Sequence, residues 1–266
     1  MFSKILVANR GEVAIRVIRA CKEMGIAAVA VYSTADRESL HVALADQSVC
    51  IGGPEPTESY LNAERIVSAA LVTGAQAVHP GYGFLAENPD FARLCAGHGL
   101  EFIGPPAGVI ALMGDKDEAR RAMKKAGVPV IPGTDVVKSI EEAKAAAEKL
   151  GYPLLIKARS GGGGKGIRVV SDPSALEQAF YTASHEAREA FGDGAVYLEK
   201  RVYPARHVEV QILADETGNV LCLFERECSI QKNNQKLLEE SPSPAVTPKI
   251  RARLMEAAVR AAKAVG

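Results

Sequence analysis

Residues 151–170 read GYPLLIKARSGGGGKGIRVV. An apolar run at 154–156 ends at Lys157, four glycines follow at 161–164, and an apolar stretch returns at 167–170. Four consecutive glycines cost backbone entropy, so a loop that keeps them needs a reason. Their free N–H groups can wrap phosphate oxygens closely, Lys165 adds charge, and the glycines let such a loop open and close as a lid. Spacing separates the phosphate-loop types. A Walker A loop needs Gly at 159 and Ser or Thr at 166, where this chain has Arg159 and Gly166. Gly161, Gly163 and Gly166 satisfy G-x-G-x-x-G, but the dinucleotide version opens a helix, and 167–170 has a strand pattern. The kinase version wants Val at 168, which is Arg168, and no H-R-D or D-F-G follows. A strand–glycine loop–strand hairpin over phosphates remains, beside the plainer reading of a flexible hairpin. Lys157 at the end of an apolar strand calls for an anionic partner, for which a nucleotide phosphate is suited, unless it snorkels to solvent from a sheet edge.

Upstream, KILVA (4–8) reads as a buried parallel strand, and residues 12–24 carry helical spacing closed by Gly25. Strands are expected at 27–32, 75–78 and 100–103, and helices at 61–73 and 89–96. This alternation predicts an open parallel sheet with helices on both faces over the first ~110 residues. HPGYGFLAEN (79–88) falls at the carboxyl end of a strand, where open α/β sheets keep their sites, so it is a structural or a catalytic loop. The boundary is expected within 105–114, giving domains 1–112 and 113–266. Lys116 opens a charged helix at 115–126, either as part of an anion site or as a surface lysine.

Downstream, a helix at 140–150 stops at Gly151, a long helix covers 175–190, and strands are expected at 196–202, 207–213 and 220–225. The half is α+β with a largely antiparallel sheet. The strand at 196–202 ends in charge at Glu199, Lys200 and Arg201, as a hinge that holds a base would. In the next strand His207, Glu209 and Gln211 share a face. The run 225–236 packs many polar groups, and Gln231 and Lys236 suit a small oxyanion there, a solvated loop being the alternative. The chain ends inside a helical pattern at 248–265 and looks cut rather than finished.

Lys+Arg and Asp+Glu are both 32, so nothing global steers the chain toward nucleic acid or an anionic membrane. The five cysteines are odd in number with no C-x-x-C pair, against a disulfide framework and a zinc motif. The longest apolar run, 26–32, is far short of a membrane span, and a cytoplasmic protein is expected.

Taken in order, ILVANRGEVAIRVIRAC, HPGYGFLAEN, FIGPP, LMGDK, KKAGVPVIPG, GYPLLIKARSGGGGKGIRVV, YLEK, RHVEVQ and ERECSIQ…QKLLEESPSP resemble biotin carboxylase, in particular the subunit of bacterial acetyl-CoA carboxylase. The resemblance runs along essentially the whole chain, and pyruvate, propionyl-CoA and urea carboxylases share the same motifs. It implies an α/β fold: a Rossmann-like, pre-ATP-grasp parallel sheet followed by an α+β ATP-grasp domain with a lid at about 131–203. It implies that Lys116 and Lys157 contact ATP phosphates and that Gly163 and Gly164 belong to the lid. Glu199, Lys200, Arg201 and Val202 would form the strand at the adenine, His207, Gln231 and position 234 would line the nucleotide pocket, and Lys236 would bind bicarbonate. The pattern departs at Asn234, where many relatives have a nucleotide-contacting His; Asn keeps hydrogen bonding but carries no charge. The implied reaction is phosphorylation of bicarbonate by ATP to carboxyphosphate, then carboxylation of biotin on a biotin carboxyl carrier protein. Carboxyltransferase subunits and a homodimer are the implied further partners. Magnesium is expected on ligands beyond residue 266, so no metal ligand is assigned within the chain, and the chain alone is expected to be inactive. Other ATP-grasp ligases share the lysine pair and glycine lid, but are not expected to carry HPGYGFLAEN and ERECSIQ together.

Overall fold

In the computed structural model the chain divides into two compact units, Met1–Asp115 and Lys116–Gly266. The structure describes residues 1–159, 166–233 and 235–266.

The first unit runs β1 (Lys4–Val7), α1 (Gly11–Glu23), β2 (Ala27–Ser33), α2 (Leu40–Leu44), β3 (Gln47–Gly52), α3 (Ala63–Thr73), β4 (Ala77–His79), α4 (Pro89–Gly97), β5 (Glu101–Phe102) and α5 (Ala107–Gly114). Its strands pair in parallel in the order β3-β2-β1-β4-β5. The chain moves outward from β1 in one direction, then returns to place β4 on the other side, so the reversal falls between β1 and β4. Strand alternation splits the core. Leu6, Val29 and Val78 pack with Tyr60, Ile66 and Phe91 on one face. Ile5, Val7, Ala28 and Ala30 pack with Ala14 and Ile18 of α1 on the other. Local signals end the helices as their sequences require. Asn62 and Asn88 accept hydrogen bonds from the N–H groups of Arg65 and Phe91 at the starts of α3 and α4, and Gly74 closes α3 in the left-handed region.

Two features of this unit differ from the sequence expectation. The predicted helix at 115–126 is preceded by a separate helix, α5. In addition, α2 and β3 occupy a stretch with no clear periodicity; β3 lies at the sheet edge, where most of its side chains are not buried.

The second unit runs α6 (Lys116–Lys125), α7 (Ile140–Leu150), β6 (Leu154–Ala158), β7 (Ile167–Val170), α8 (Leu176–Phe191), β8 (Val196–Lys200), β9 (Val208–Ala214), β10 (Val220–Lys232), β11 (Gln235–Glu240) and α9 (Pro248–Val265). Two antiparallel sheets form, in the orders β7-β6-β8 and β11-β10-β9. In the first, Leu154, Ile156, Val196 and Leu198 point into a core closed by Ala143 and Ala147 of α7 and Phe180 and Ala183 of α8. The cap of α7 is Ser139, which accepts from the Glu142 N–H.

Here too the sequence expectation needs correction. The strand at 196–202 ends at Lys200, so Arg201 and Val202 lie past it. The polar run 225–236 is no loop: β10 continues to Lys232 and β11 returns along it. Polar residues continue this strand because their inward side chains find partners. Glu225, Glu227 and Ser243 are buried, and Arg251 of α9 reaches the first of them.

Candidate functional site

Alternation along β6 turns Leu155 and Lys157 away from the core, and the register sets Lys157 opposite Tyr197 and Leu155 opposite Glu199. Lys157 and Glu199 are therefore diagonal neighbours on one face. They form an ion pair with side chains only 25% and 13% exposed. The partner that Lys157 needs within the chain is thus Glu199. Tyr197, directly opposite Lys157, has its phenol pushed up to about 12 by burial and by the charges of Glu199 and Asp117. Asp117 stands in the first turn of α6, next to Lys116, which opens that helix.

The segment before α7 lies along β8. Thr134 N–H donates to the Leu198 carbonyl (2.9 Å), Leu198 N–H donates to Thr134 Oγ1 (3.0 Å), and Lys200 N–H donates to the Pro132 carbonyl (2.8 Å). Arg120 of α6 donates to the carbonyls of Thr134 (2.7 Å) and Ile131 (3.2 Å). A Cβ on Gly133 would stand 2.5 Å from the Leu198 carbonyl oxygen, so only glycine allows this approach. The Lys200 ammonium donates to the carbonyls of Gly151 and Tyr152, both at 3.0 Å, which makes it a brace for the turn before β6. Arg201 stacks over Tyr203 with its carbon 5.1 Å from the ring centre, and Val202 is exposed.

A second constellation lies on the other sheet. Gln231 of β10 is directly opposite Lys236 of β11. His207 stands just before β9, its ring Nδ1 3.3 Å from Gln231 Nε2. Lys236 donates to Glu209. Arg226 holds the same carboxylate at 2.6 Å and donates to Gln211 at 3.0 Å, which confirms that Glu209 and Gln211 share a face. Burial works against the Glu209 carboxylate, but the hydrogen bonds from Lys236 and Arg226 outweigh it and hold its pKa below the usual glutamate value. The same bond from Glu209 raises Lys236, which therefore stays an ammonium at neutral pH. The structure thus brings His207, Gln231 and Lys236 together, and adds Glu209 and Arg226 as the pair that orients the lysine. Arg226 and Glu209 were visible in sequence only as charges; their pairing depends on the β9–β10 register. Gly163, Gly164 and Asn234 lie outside the described residues.

In the first unit, the loops after β1 and β4 flank a cleft of about 450 Å³ at the carboxyl ends of the strands, where the strand order reverses. Asn9 and Arg10 line one side and Tyr82, Gly83 and Phe84 the other. The HPGYGF loop owes its shape to Asn9, whose buried amide donates to the carbonyls of Pro80 and Tyr82, both at 2.8 Å. Tyr82 in turn donates to Glu12. Among the described residues, no helix is long and apolar enough to cross a membrane.

Comparison with known families agrees with this architecture. Residues 1–110 match the biotin carboxylase N-terminal domain, and residues 115–266 match the ATP-binding domain of the carbamoyl-phosphate synthase L chain. The chain belongs to the biotin carboxylase family. It is 54% identical over 267 residues to biotin carboxylase 1 of Bacillus subtilis, covering all of this chain and 59% of that protein. The structure of a Campylobacter jejuni biotin carboxylase–βγ-ATP complex superposes with a TM-score of 0.91 at 49% identity, covering 100% of this chain and 60% of that one. The biotin carboxylase domain dimer of Hydrogenobacter thermophilus 2-oxoglutarate carboxylase, in complex with MgADP, ADP and bicarbonate, superposes with a TM-score of 0.88 at 52% identity. It covers 100% of this chain and 59% of that one. The chain thus spans about three-fifths of the length of these biotin carboxylase relatives, with a parallel sheet followed by antiparallel sheets in the same fold.

Proposed function

We propose that this chain is the nucleotide- and bicarbonate-handling part of an ATP-dependent ligase that carboxylates biotin on a carrier protein. The observation that carries this reading is the Gln231–Lys236 pair, with Lys236 oriented by Glu209 beside His207. It offers an amide and a fixed ammonium to a small oxyanion. Lys157, restrained by Glu199, offers a second cation to phosphate oxygens, with Lys116 as a third. The backbone from Glu199 to Val202 is assigned to the adenine, and Gly163 and Gly164 to the lid. His207, Gln231 and Asn234 line the nucleotide pocket. In this scheme ATP phosphorylates bicarbonate to carboxyphosphate, which releases CO₂ next to biotin. The chain's own part is to hold charge in place: Lys157 on the transferring phosphate and Lys236 on bicarbonate, each already oriented by a carboxylate before substrate arrives.

Magnesium accompanies nucleotide in such chemistry and neutralises phosphate charge. Glu199, Glu209 and Glu239 do not fit it: each is already paired with a lysine or arginine, and magnesium, which takes oxygen ligands, draws nothing from a neighbouring thiol or imidazole to offset breaking such a pair. No step is assigned to the metal on these residues. A biotin carboxyl carrier protein, carboxyltransferase subunits, homodimer formation and a cytoplasmic setting belong to the same proposal. The favoured acceptor is acetyl-CoA, for malonyl-CoA and fatty acid synthesis. A keto-acid carboxylase is the second reading, favoured by the close match to the 2-oxoglutarate carboxylase domain.

The test is bicarbonate-dependent ATP hydrolysis with magnesium, with and without free biotin, on this chain and on a version extended to the length of its relatives. Biotin-stimulated turnover in the extended chain is the expected result. Folded protein without stimulation in either version would move the assignment to another ATP-grasp ligase.

A further inference from the structure

The strand register assembles a donor set that no sequence spacing announces. His207, Glu209 and Cys228 each present one ligand atom, and these atoms all lie within 4.8 Å of one another. Glu209 comes from the start of β9, His207 stands just before it, and Cys228 comes from the middle of β10. The strands are clamped there, since Cys228 N–H donates to the His207 carbonyl at 2.8 Å. A tetrahedral zinc with its usual bond lengths separates its ligand atoms by roughly 3.5 Å. A contraction of about an ångström therefore closes the set, and His207, exposed on the sheet, has room to make it. The donors span thiolate, imidazole and carboxylate, a combination that favours zinc and cadmium over magnesium.

We propose that His207, Glu209 and Cys228 form a binding site for a thiophilic divalent cation of the zinc type, in competition with Lys236. The competition follows from geometry: the Glu209 oxygens already accept from Lys236 and Arg226. A dication entering beside them displaces the ammonium from its carboxylate. On binding, the Cys228 S–H bond breaks, its proton passes to buffer, and the sulfur lone pair forms the metal–sulfur bond. Water completes the coordination. The site stands on the trio's geometry and not on the carboxylation scheme; if that scheme also holds, zinc is an inhibitor that removes Lys236 from its post.

The test is a cadmium titration of the 266-residue chain carrying Cys50→Ser, which removes an exposed thiol. The near-ultraviolet thiolate-to-cadmium charge-transfer band reports binding, and zinc is then added as competitor. One equivalent per chain and displacement by zinc are expected. Cys228→Ser is expected to abolish the band. His207→Ala, at an exposed position that spares the fold, is expected to weaken affinity at least about tenfold, as even outer-shell losses do. Lys236→Met is expected to tighten it, because the competing ammonium is gone. A band that survives Cys228→Ser, an affinity indifferent to His207→Ala, or no band at all in the parent chain would overturn the site. Unchanged or weaker binding in Lys236→Met would overturn the competition. Circular dichroism of Cys228→Ser excludes unfolding as the cause of a lost band.

Discussion

Arg251 of α9 grips both carboxylate oxygens of Glu225 in β10, at 2.6 and 2.8 Å, with Glu225 only 1% exposed. The pair ties α9 to the β9–β11 sheet, and Ser243 N–H adds a contact to the same carboxylate at 3.3 Å. Removing the guanidinium strands a buried charge, the costly way to break such a pair. Arg251→Ala is therefore expected to lower the thermal midpoint far more than Arg260→Ala, which cuts only an exposed helix pair with Glu256 at 3.7 Å. Scanning calorimetry of the two variants checks the ranking; equal midpoints would refute it.

The same pair predicts an acid response. The Arg251 hydrogen bonds pull the Glu225 carboxyl down to about 2 from the ordinary 4.5. A depressed pKa contributes stability in full above the unfolded value, and that contribution is lost as pH falls through the folded value. Stability should decline as pH drops from about 4.5 toward 2, and the decline should be shallower in Arg251→Ala. Denaturant midpoints across this window give both slopes.

Gly133 tests the strip along β8. Its substitution by alanine drives a Cβ to 2.5 Å from a backbone carbonyl and 2.9 Å from Arg120 Nη2. Overpacking of this kind costs about 1–3 kcal/mol. A fall in the urea midpoint at unchanged slope is expected; an unaltered midpoint would mean that the 131–134 segment moves aside freely.

Lys157→Gln addresses the nucleotide assignment. A charge-assisted hydrogen bond contributes about 1.5–3 kcal/mol, so ADP affinity should fall by roughly ten- to a hundredfold. Titration calorimetry with ADP measures it. Unchanged affinity in a folded variant would leave Lys157 as nothing more than the partner of Glu199.

Where burial follows hydrophobicity, the chain was readable in advance. KILV at β1, the helix that stops at Gly151, and the apolar runs on either side of the Lys157–glycine segment all announce themselves, because apolar patterning and packing agree there. The β10–β11 hairpin was hidden for the opposite reason. Glu225 and Glu227 of β10 point inward and are satisfied by Arg251, Arg206 and Ser243, while most of the hairpin is exposed, so these strands have the composition of a loop. Lys200 was legible as a charge at a strand end but not as a brace, since its carbonyl partners at Gly151 and Tyr152 lie far back in the sequence. Glu209 and Arg226 were legible as charges, but their meeting across two strands is a product of register.

That register has a consequence for descent. His207, just before β9, and Glu209, Arg226, Cys228, Gln231 and Lys236 all belong to three strands and their lead-in that follow one another along the chain and pair as neighbours. A gene segment encoding residues 207–240 carries this entire constellation. Because its buried Glu225 and Glu227 lean on Arg206, Ser243 and Arg251, the self-sufficient segment, which can be exchanged between genes as one cassette, is a slightly longer one that reaches α9. A single-codon insertion in either hairpin turn, by contrast, shifts the pairing and turns alternate side chains to the wrong face. Selection should therefore tolerate wholesale transfer of the segment far better than a change of one residue in its length.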